Sequence, residues 1–262
     1  MAIEIIGLPA FNDNYIWLLR NGRHVAAIDP GAAEPVASYL RRHRLHLDAI
    51  LITHHHIDHT GGVEELLVDR RVPVYAPGNE NIAATSHPLD GGERLELAEL
   101  GVALDVVAVP GHTRGHLAYY LPAGDSNPDG ALFCGDTLFT AGCGRLFEGT
   151  PQQMQASLAR LSVLPAPTLL YCAHEYTENN LRFALAVEPD NLQTQRRSEA
   201  VALARADGRP TVPSRLATEL QTNPFLRWDA PSVRAAAAQR LGHEPIDAVE
   251  TFAAIRAWRN SF

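Results

Sequence analysis

The ten residues from Thr53 to Gly62, THHHIDHTGG, constrain the fold of this chain more than any other segment. They follow the apolar run Ala49–Ile52, whose length and β-branching predict a buried strand. They precede Val63–Leu67, which is predicted to begin a helix. Imidazoles and a carboxylate therefore lie between the end of a core strand and the start of a helix, where open α/β sheets place their ligands.

The side chains of this loop are the types that divalent metal ions bind. Neutral imidazole and carboxylate are ligands of zinc and similar ions. In an extended loop His54, His56 and Asp58 project to one side, and His59 at the helix entrance turns toward a neighbouring point. Such a set exceeds what one catalytic ion takes from a single loop, and it fits two ions close together. This pattern favours a metal site strongly over a solvated histidine tract, and His55, which points away, is assigned no ligand role.

Three further histidine or aspartate residues each follow a strand-like apolar run and a small residue. They are His112, Asp136 and His174. Because the strands of one sheet bring such ends to a common edge, these residues are predicted to converge on the first cluster. Each signal is weak alone, since a Gly-Asp after a strand is more often a turn, but together with the first motif the set is strong.

Length, charge and cysteine content narrow the class of protein. A chain of 262 residues forms one large domain or two modest ones. The formal net charge of −8 disfavours a nucleic-acid surface and requires local cations to hold an anionic substrate. No apolar run is long enough for a membrane span, and the strand-like start at Met1–Ile5 differs from a secretory signal. Three cysteines without a CxxC pair favour a reducing cytoplasm.

The organisation of the chain changes near residue 165. Before it, short strand-like and helix-like segments alternate; after it, one last strand leads into a part that favours helix. Predicted helices cover residues 192–206, 231–241 and 245–258, with Ser232 as N-cap and Gly242 just past the end of the second.

The chain resembles the metallo-β-lactamase superfamily and, within it, the glyoxalase II family of hydroxyacylglutathione hydrolases. The resemblance covers essentially the whole chain. The superfamily shares the metal motif widely, whereas the GCGR and HEYTxxN segments and the basic C-terminal end narrow the resemblance to glyoxalase II. The segments that carry it are FNDNY at 11–15, DPG at 29–31, HHHIDHTGG at 54–62, PGHT at 110–113, CGDTLF at 134–139, AGCGR at 141–145 and HEYTENN at 174–180.

The resemblance implies a fold and a set of site residues. The fold class is α/β (α+β): an αββα sandwich over residues 1–174, which binds the metal, and a small helical substrate-binding domain over 175–262. The implied ligands are His54, His56 and His112 for one ion, Asp58, His59 and His174 for a second, and Asp136 bridging both. Asp58, beside a metal-bridging hydroxide, is the implied catalytic residue. The implied glutathione-binding residues are Arg145, Tyr176, Arg256 and Arg259.

The implied activity is hydrolysis of S-(2-hydroxyacyl)glutathione, typically S-D-lactoylglutathione, to D-lactate and glutathione in methylglyoxal detoxification. Two divalent ions per chain are expected, zinc foremost, with iron or manganese as alternatives. We expect a cytoplasmic monomer whose partner is the small thioester, without nucleic acid or membrane. The alternatives are a persulfide dioxygenase with one iron, a nuclease, phosphodiesterase or other hydrolase of the same fold and, least favoured, a non-enzymatic metal-binding module.

Overall fold

Strands and helices alternate through the first two thirds of the chain, and helices dominate the last third. The computed structural model describes residues 3–125 and 127–262, so the first residues of the predicted N-terminal strand, Met1 and Ala2, lie outside the described residues. The strands are β1 (Glu4–Ala10), β2 (Asn14–Asn21), β3 (His24–Ile28), β4 (His46–Leu51), β5 (Val74–Pro77), β6 (His87–Leu89), β7 (Arg94–Leu97), β8 (Val102–Ala108), β9 (Leu117–Leu121), β10 (Ala131–Gly135), β11 (Leu138–Phe139), β12 (Gly142–Cys143), β13 (Leu169–Cys172) and β14 (Ser214–Arg215).

The helices confirm the predicted change in organisation. They are α1 (Ala33–His43), α2 (Ile57–Thr60), α3 (Val63–Leu67), α4 (Pro151–Ser162), α5 (Thr177–Val187), α6 (Leu192–Ala206), α7 (Leu216–Thr222), α8 (Pro231–Leu241) and α9 (Ala248–Asn260), with short 3-10 helices at Ala98–Leu100 and Pro224–Leu226. None of the helices in the described ranges is long and apolar enough to cross a lipid bilayer.

The chain divides into two compact units. Unit 1 comprises the residues up to Val109 together with Thr113–Gly135. Unit 2 comprises Pro110–His112 and Asp136–Phe262. The division after residue 174, which the sequence predicts, stays a prediction.

Unit 1 is built on a mixed six-stranded sheet in the order β1-β2-β3-β4-β5-β6. The first three strands are antiparallel neighbours, and β3 to β6 run parallel. In the parallel part Ile28 pairs with Leu51, so β3 and β4 end side by side. Because carboxyl ends of parallel strands share one edge, the segments that begin at Asp29 and Thr53 leave the sheet together.

Helices cover one face of this sheet, and strands cover the other. Val36 and Leu40 of α1 and Leu66 of α3 belong to one apolar cluster with residues of the sheet. Strands β7 to β10 are antiparallel neighbours in the order β10-β9-β8-β7. From β9, the buried Tyr119 hydroxyl donates to the carbonyl of Ile52 at 2.7 Å. Unit 1 therefore forms the helix-sheet-sheet layers that the predicted sandwich requires.

Unit 2 is held together largely by aromatic side chains between its helices. Phe183 of α5 lies 5.8 Å from Phe225, and Phe225 lies 5.9 Å from Phe252 of α9, measured between ring centroids. All three are buried, and a fully buried side chain of this kind contributes about 1.5–3 kcal/mol. This packing fixes α9, the helix that carries Arg256 and Arg259.

The helix ends confirm some of the predicted signals and correct others. Helices α6 and α8 have the predicted bounds, and Gly242 caps α8 in the left-handed conformation with φ of 80°. The predicted N-cap Ser232 is wrong: the N-cap is Ala230, and Ser232 donates instead to the carboxylate of Glu188. Helix α9 begins at Ala248 rather than 245, because the Asp247 side chain caps it by accepting from Glu250 N–H.

Candidate metal-binding and substrate-binding residues

The loop after β4 presents two pairs of ligand atoms within unit 1. His54 Nε2 lies 3.0 Å from His56 Nδ1. Further along the loop, His59 Nε2 lies 3.5 Å from Asp58 Oδ2. His54 and His59 are fully buried, whereas His56 and Asp58 are partly exposed. Unit 1 thus offers two neighbouring donor pairs, one of two imidazoles and one of an imidazole and a carboxylate.

Asp29 sets the tautomers of both buried histidines. Its Oδ1 accepts from Thr53 N–H at 2.7 Å, and its Oδ2 accepts from Thr53 Oγ1 at 2.7 Å. Oδ2 also lies 3.0 Å from His59 Nδ1, so that nitrogen carries the hydrogen and Nε2 presents its lone pair. Because Thr53 Oγ1 donates to Asp29, it accepts from His54 Nδ1 at 3.0 Å, so the lone pair of this imidazole is on Nε2. Asp29 therefore contacts one candidate ligand histidine directly and orients the other through Thr53.

Two residues that the sequence interpretation left out also hold this loop. Asn14 Nδ2 donates to Asp58 Oδ2 at 3.0 Å. The carboxylate of Glu80 accepts from His55 N–H at 2.6 Å, from Gly115 N–H at 3.0 Å and from the Thr113 hydroxyl. Glu80 therefore ties the backbone between His54 and His56 to the segment that follows β8, and no local motif marks it in the sequence.

Two further histidines lie beside the candidate ligands: His116, and His55, to which the sequence assigns no ligand role. His116 is fully buried, and its ring stacks on His54 at 4.6 Å between centroids. His55 Nδ1 lies 3.9 Å from a Glu80 oxygen.

In unit 2, the carboxylate of Asp136 lies between two histidines. Asp136 Oδ2 lies 3.4 Å from His112 Nε2, and Oδ1 lies 3.4 Å from His174 Nε2. All three side chains are buried. His112 Nδ1 lies 2.8 Å from the carbonyl oxygen of Arg145, so Nδ1 carries the hydrogen and the lone pair is on Nε2, the candidate ligand atom. Each oxygen of one carboxylate thus has its own imidazole partner.

These spacings fit metal ions. Donors at about 2.1 Å from a tetrahedral zinc ion lie about 3.4 Å from one another. The Asp136 pairs have this separation, and the pairs of unit 1 lie near it, at 3.0 and 3.5 Å. The two oxygens of one carboxylate, such as that of Asp136, can contact two metal ions. An imidazole could contact two ions only after its ring had lost its proton. The donor types and their spacing in both units therefore suit divalent metal ions.

A buried polar network holds the loop that follows Asp136. Glu219 is fully buried; its Oε2 accepts from Ala141 N–H at 2.7 Å. The amide of Asn223 donates to the carbonyls of Phe139 and Gly142 at 3.1 and 3.0 Å. A Cβ at Gly144 would lie 1.8 Å from the carbonyl oxygen of Asp136, so glycine alone fits there. The network fixes the segment that leads from Asp136 to Arg145.

The predicted cations occupy different environments in unit 2. Arg145 is exposed. Arg256 is buried, and its Nη1 donates to the Cys143 carbonyl at 2.9 Å, so it also holds the Arg145 loop. Its buried Nε has no hydrogen-bond partner among the described residues. Burial lowers the pKa of the Arg259 guanidinium, and the positive charges of Arg256, Arg145 and Arg182 lower that pKa further. A cluster of positive charge, which includes the unpredicted Arg182, therefore surrounds Arg259.

Tyr176 and Cys143 complete the residues that the sequence singles out. The Tyr176 ring stacks on His174 at 4.7 Å between centroids, with an interplanar angle of 7°. Cys143 is buried, and burial raises the pKa of its thiol despite the opposing charge of Arg256.

Comparison with known proteins gives two adjoining sequence-profile matches. Residues 10–174 match the profile described as the metallo-beta-lactamase superfamily. Residues 175–262 match the profile described as the hydroxyacylglutathione hydrolase C-terminus. A hydroxyacylglutathione hydrolase of Dechloromonas aromatica (strain RCB) is 55% identical to this chain, over 99% of the chain and 100% of that relative.

Solved structures share the fold. ETHE1 from Myxococcus xanthus superposes with a TM-score of 0.66 at 24% identity, covering 98% of this chain and 90% of that one. A di-iron-bound form of TTHA1623 superposes with a TM-score of 0.59 at 27% identity, covering 85% of this chain and all of that one.

Proposed function

Because the chain belongs to the hydroxyacylglutathione hydrolase family of the metallo-beta-lactamase superfamily, we propose that it hydrolyses S-(2-hydroxyacyl)glutathione thioesters. The family resemblance and the fold class predicted from the sequence are thereby confirmed. The expected substrate is S-D-lactoylglutathione and the products are D-lactate and glutathione, as a step in methylglyoxal detoxification. The observation that carries the proposal is the match to the D. aromatica hydrolase along both chains.

We propose that the donor sets of the two units together hold two divalent ions. His54, His56 and His112 would bind one ion, Asp58, His59 and His174 the other, and Asp136 both. Bound ions would lower the pKa of water and polarise the thioester carbonyl. Zinc is the proposed metal, with iron or manganese as alternatives; histidine-rich N/O sites accept all three. The 27% identical TTHA1623 has been solved with two irons.

The residues around the ligands supply orientation. Asp29 holds His59, and through Thr53 also His54, in the tautomer that places the lone pair on Nε2. The Arg145 carbonyl does the same for His112. We propose Asp58 as the catalytic residue: Asn14 fixes its Oδ2, and its carboxylate orients the attacking water and takes up its proton.

The cations of unit 2 are proposed to bind glutathione. The two carboxylates of that tripeptide each suit a guanidinium fork. Arg145 and Arg259 would meet them directly. Arg256, whose Nη1 holds the Cys143 carbonyl, would contribute its positive charge and keep the loop of Arg145 in position. The Tyr176 hydroxyl would donate to the peptide part.

The remaining expectations follow from this function. We propose that residues 1–174 form the catalytic domain and residues 175–262 the substrate-binding domain. We also propose a cytoplasmic monomer that acts on a small molecule and uses neither nucleic acid nor membrane. The alternative, a persulfide dioxygenase, would need only two histidines and one carboxylate, whereas this chain carries seven donors. The superposition on ETHE1, at 24% identity, supports the shared fold and no more.

A thioesterase assay on the metal-loaded protein tests the proposal. Hydrolysis of S-D-lactoylglutathione should release free thiol with a kcat/KM well above that for a thioester without the glutathione carboxylates. Oxygen uptake with glutathione persulfide should be absent. A protein that carries two metals per chain and hydrolyses neither thioester, or that consumes oxygen, would refute it.

A further inference from the structure

A cavity on unit 1 is lined by five arginines. They are Arg23, Arg41, Arg44, Arg70 and Arg71, and the cavity volume is about 510 Å³. Of the described residues that line it, none carries a carboxylate. The chain as a whole has a formal net charge of −8, and all 22 of its basic residues are arginines. Surface charges of both signs are normally interspersed, so this concentration of one sign is unusual for an acidic protein.

The cavity lies away from the proposed metal ligands. His46, the first residue of β4, lines it, whereas the loop with His54 follows the other end of the same strand. A strand rises about 3.3 Å per residue, so the six residues of β4 separate the two ends by about 17 Å. The arginines therefore lie near the amino end of β4, and the proposed metal ligands follow its carboxyl end.

Apart from Arg41, the arginines that line the cavity form no ion pair with a carboxylate among the described residues. Arg23 Nε donates to the Arg44 carbonyl at 3.2 Å, and Arg70 Nη1 donates to the Leu66 carbonyl at 2.8 Å. These hydrogen bonds orient the guanidinium groups of Arg23 and Arg70. Each bond uses one of the five N–H donors of its guanidinium. The contact of Arg41 with Glu34, at 3.5 Å between exposed side chains, is weak. Arg41 lies in the last turn of α1, where the helix dipole favours a positive charge. The dipole does not explain why five arginines line one cavity.

The floor of the cavity is apolar. Leu40 is buried, and Leu45, Leu47 and Val72 are partly buried. The volume falls within the range of about 300–1,000 Å³ that is typical of small-ligand sites. A suitable ligand therefore has several negative charges on one part and an apolar, ring-sized part beside them.

We propose that this cavity binds a small organic polyphosphate of the nucleoside diphosphate class. Phosphate oxygens match the guanidinium fork in bidentate geometry, and two phosphates would engage several of the five arginines. The base would lie on Leu45, Leu47 and Val72. This site is separate from the proposed thioesterase activity and does not depend on it.

Isothermal titration of the full-length, metal-loaded protein with ADP and with inorganic pyrophosphate tests the proposal. The double variant Arg44→Gln/Arg71→Gln removes two charges from the cavity. The matched control, Arg42→Gln/Arg94→Gln, removes two exposed arginines that do not line it. Unchanged thioesterase activity and unfolding temperature would establish that both variants are folded.

The wild-type protein should bind one ADP per chain, more tightly than pyrophosphate. The cavity variant should weaken binding about 100-fold, since each lost charge-assisted contact is worth about tenfold or more. The control should change the Kd less than about threefold, through long-range charge alone. Absence of saturable binding, equal loss in both variants, or undiminished binding by the cavity variant would overturn the proposal. Undiminished binding by the cavity variant would also show that ADP binds elsewhere, such as at the metal ions. Pyrophosphate as tight as ADP would overturn the role of the apolar floor.

Discussion

Replacement of Asp29 by asparagine should weaken both proposed metal sites, because Asp29 sets the tautomer of His59 directly and that of His54 through Thr53. Asp29 Oδ2 faces two donors, Thr53 Oγ1 and His59 Nδ1, and Oδ1 faces the Thr53 N–H. An amide that keeps its oxygen toward the backbone N–H places its NH₂ against His59 Nδ1. The imidazole then accepts at Nδ1 and carries its hydrogen on Nε2, the proposed ligand atom. Loss of such a supporting contact typically costs 10–100-fold in metal affinity, or about 1.4–2.7 kcal/mol.

Zinc titration of the metal-free protein against a chromophoric chelator measures this effect. We expect both sites to weaken in Asp29→Asn, by about 10–100-fold at the site of His59, which Asp29 contacts directly, and by less at the site of His54, which it reaches through Thr53. Asp48→Asn is the matched control, because Asp48 also accepts from a backbone N–H, that of Val25, and lies 3.2 Å from a histidine Nδ1, that of His24. Two sites of wild-type affinity in Asp29→Asn, or an equal loss in Asp48→Asn, would refute the tautomer argument.

Three further predictions follow from the contacts. Arg145→Ala should raise KM for S-D-lactoylglutathione about tenfold or more with little change in kcat. The control variant Arg94→Ala should change neither constant. A fall in kcat alone would show that Arg145 does not bind the substrate. Because burial raises the pKa of Cys143, its thiol should react with a disulfide reagent at pH 8 far more slowly in the native chain than after denaturation, and equal rates would contradict its burial. Glu80→Gln should lower the unfolding temperature by about 3–12 °C, since one N–H or O–H donor loses a charged acceptor, while the exposed Glu64→Gln should leave it unchanged in the same thermal scan.

Much of the candidate site could be predicted because its donors are encoded locally. The spacing from His54 to His59 places two donor pairs in one loop, and the structure has both pairs at 3.0 and 3.5 Å. Strand ends mark Asp136 and His174 in the same way. Parallel pairing of β3 with β4 then sets Asp29 beside Thr53, a contact across 24 residues that the sequence pattern does not reveal.

The supporting residues could not be predicted, because their partners are distant in sequence. Glu80 contacts His55 and Gly115, which lie 25 and 35 residues away. Glu219 contacts Ala141 across 78 residues. Neither glutamate lies in a motif, and the usual expectation for a glutamate is an exposed side chain. The environment of Arg256 could not be predicted for the same reason. Its spacing from Arg259 indicates that both lie on one helical face, but it does not indicate that Arg256 is buried against Cys143.

The predicted start of a helix was wrong where tertiary contacts outweigh the local preference of a residue for the N-cap position. Ser232 has the residue type of an N-cap, yet the buried Glu188 recruits its hydroxyl, and Arg227 donates to the same carboxylate at 2.7 Å. Helix α5, which follows the proposed ligand His174, has no side-chain cap at Tyr176, so its start carries no sequence signal of that kind.

Anomalous diffraction from crystals of the metal-loaded protein, collected at the absorption edge of the bound metal, tests the central claim most directly. The claim is that the donors of both units hold two ions that share Asp136. It predicts two peaks about 3.5–4 Å apart. One peak should contact His54, His56 and His112, the other should contact Asp58, His59 and His174, and each should contact one oxygen of Asp136. A single peak in active crystals, or two peaks that Asp136 does not join, would contradict the account.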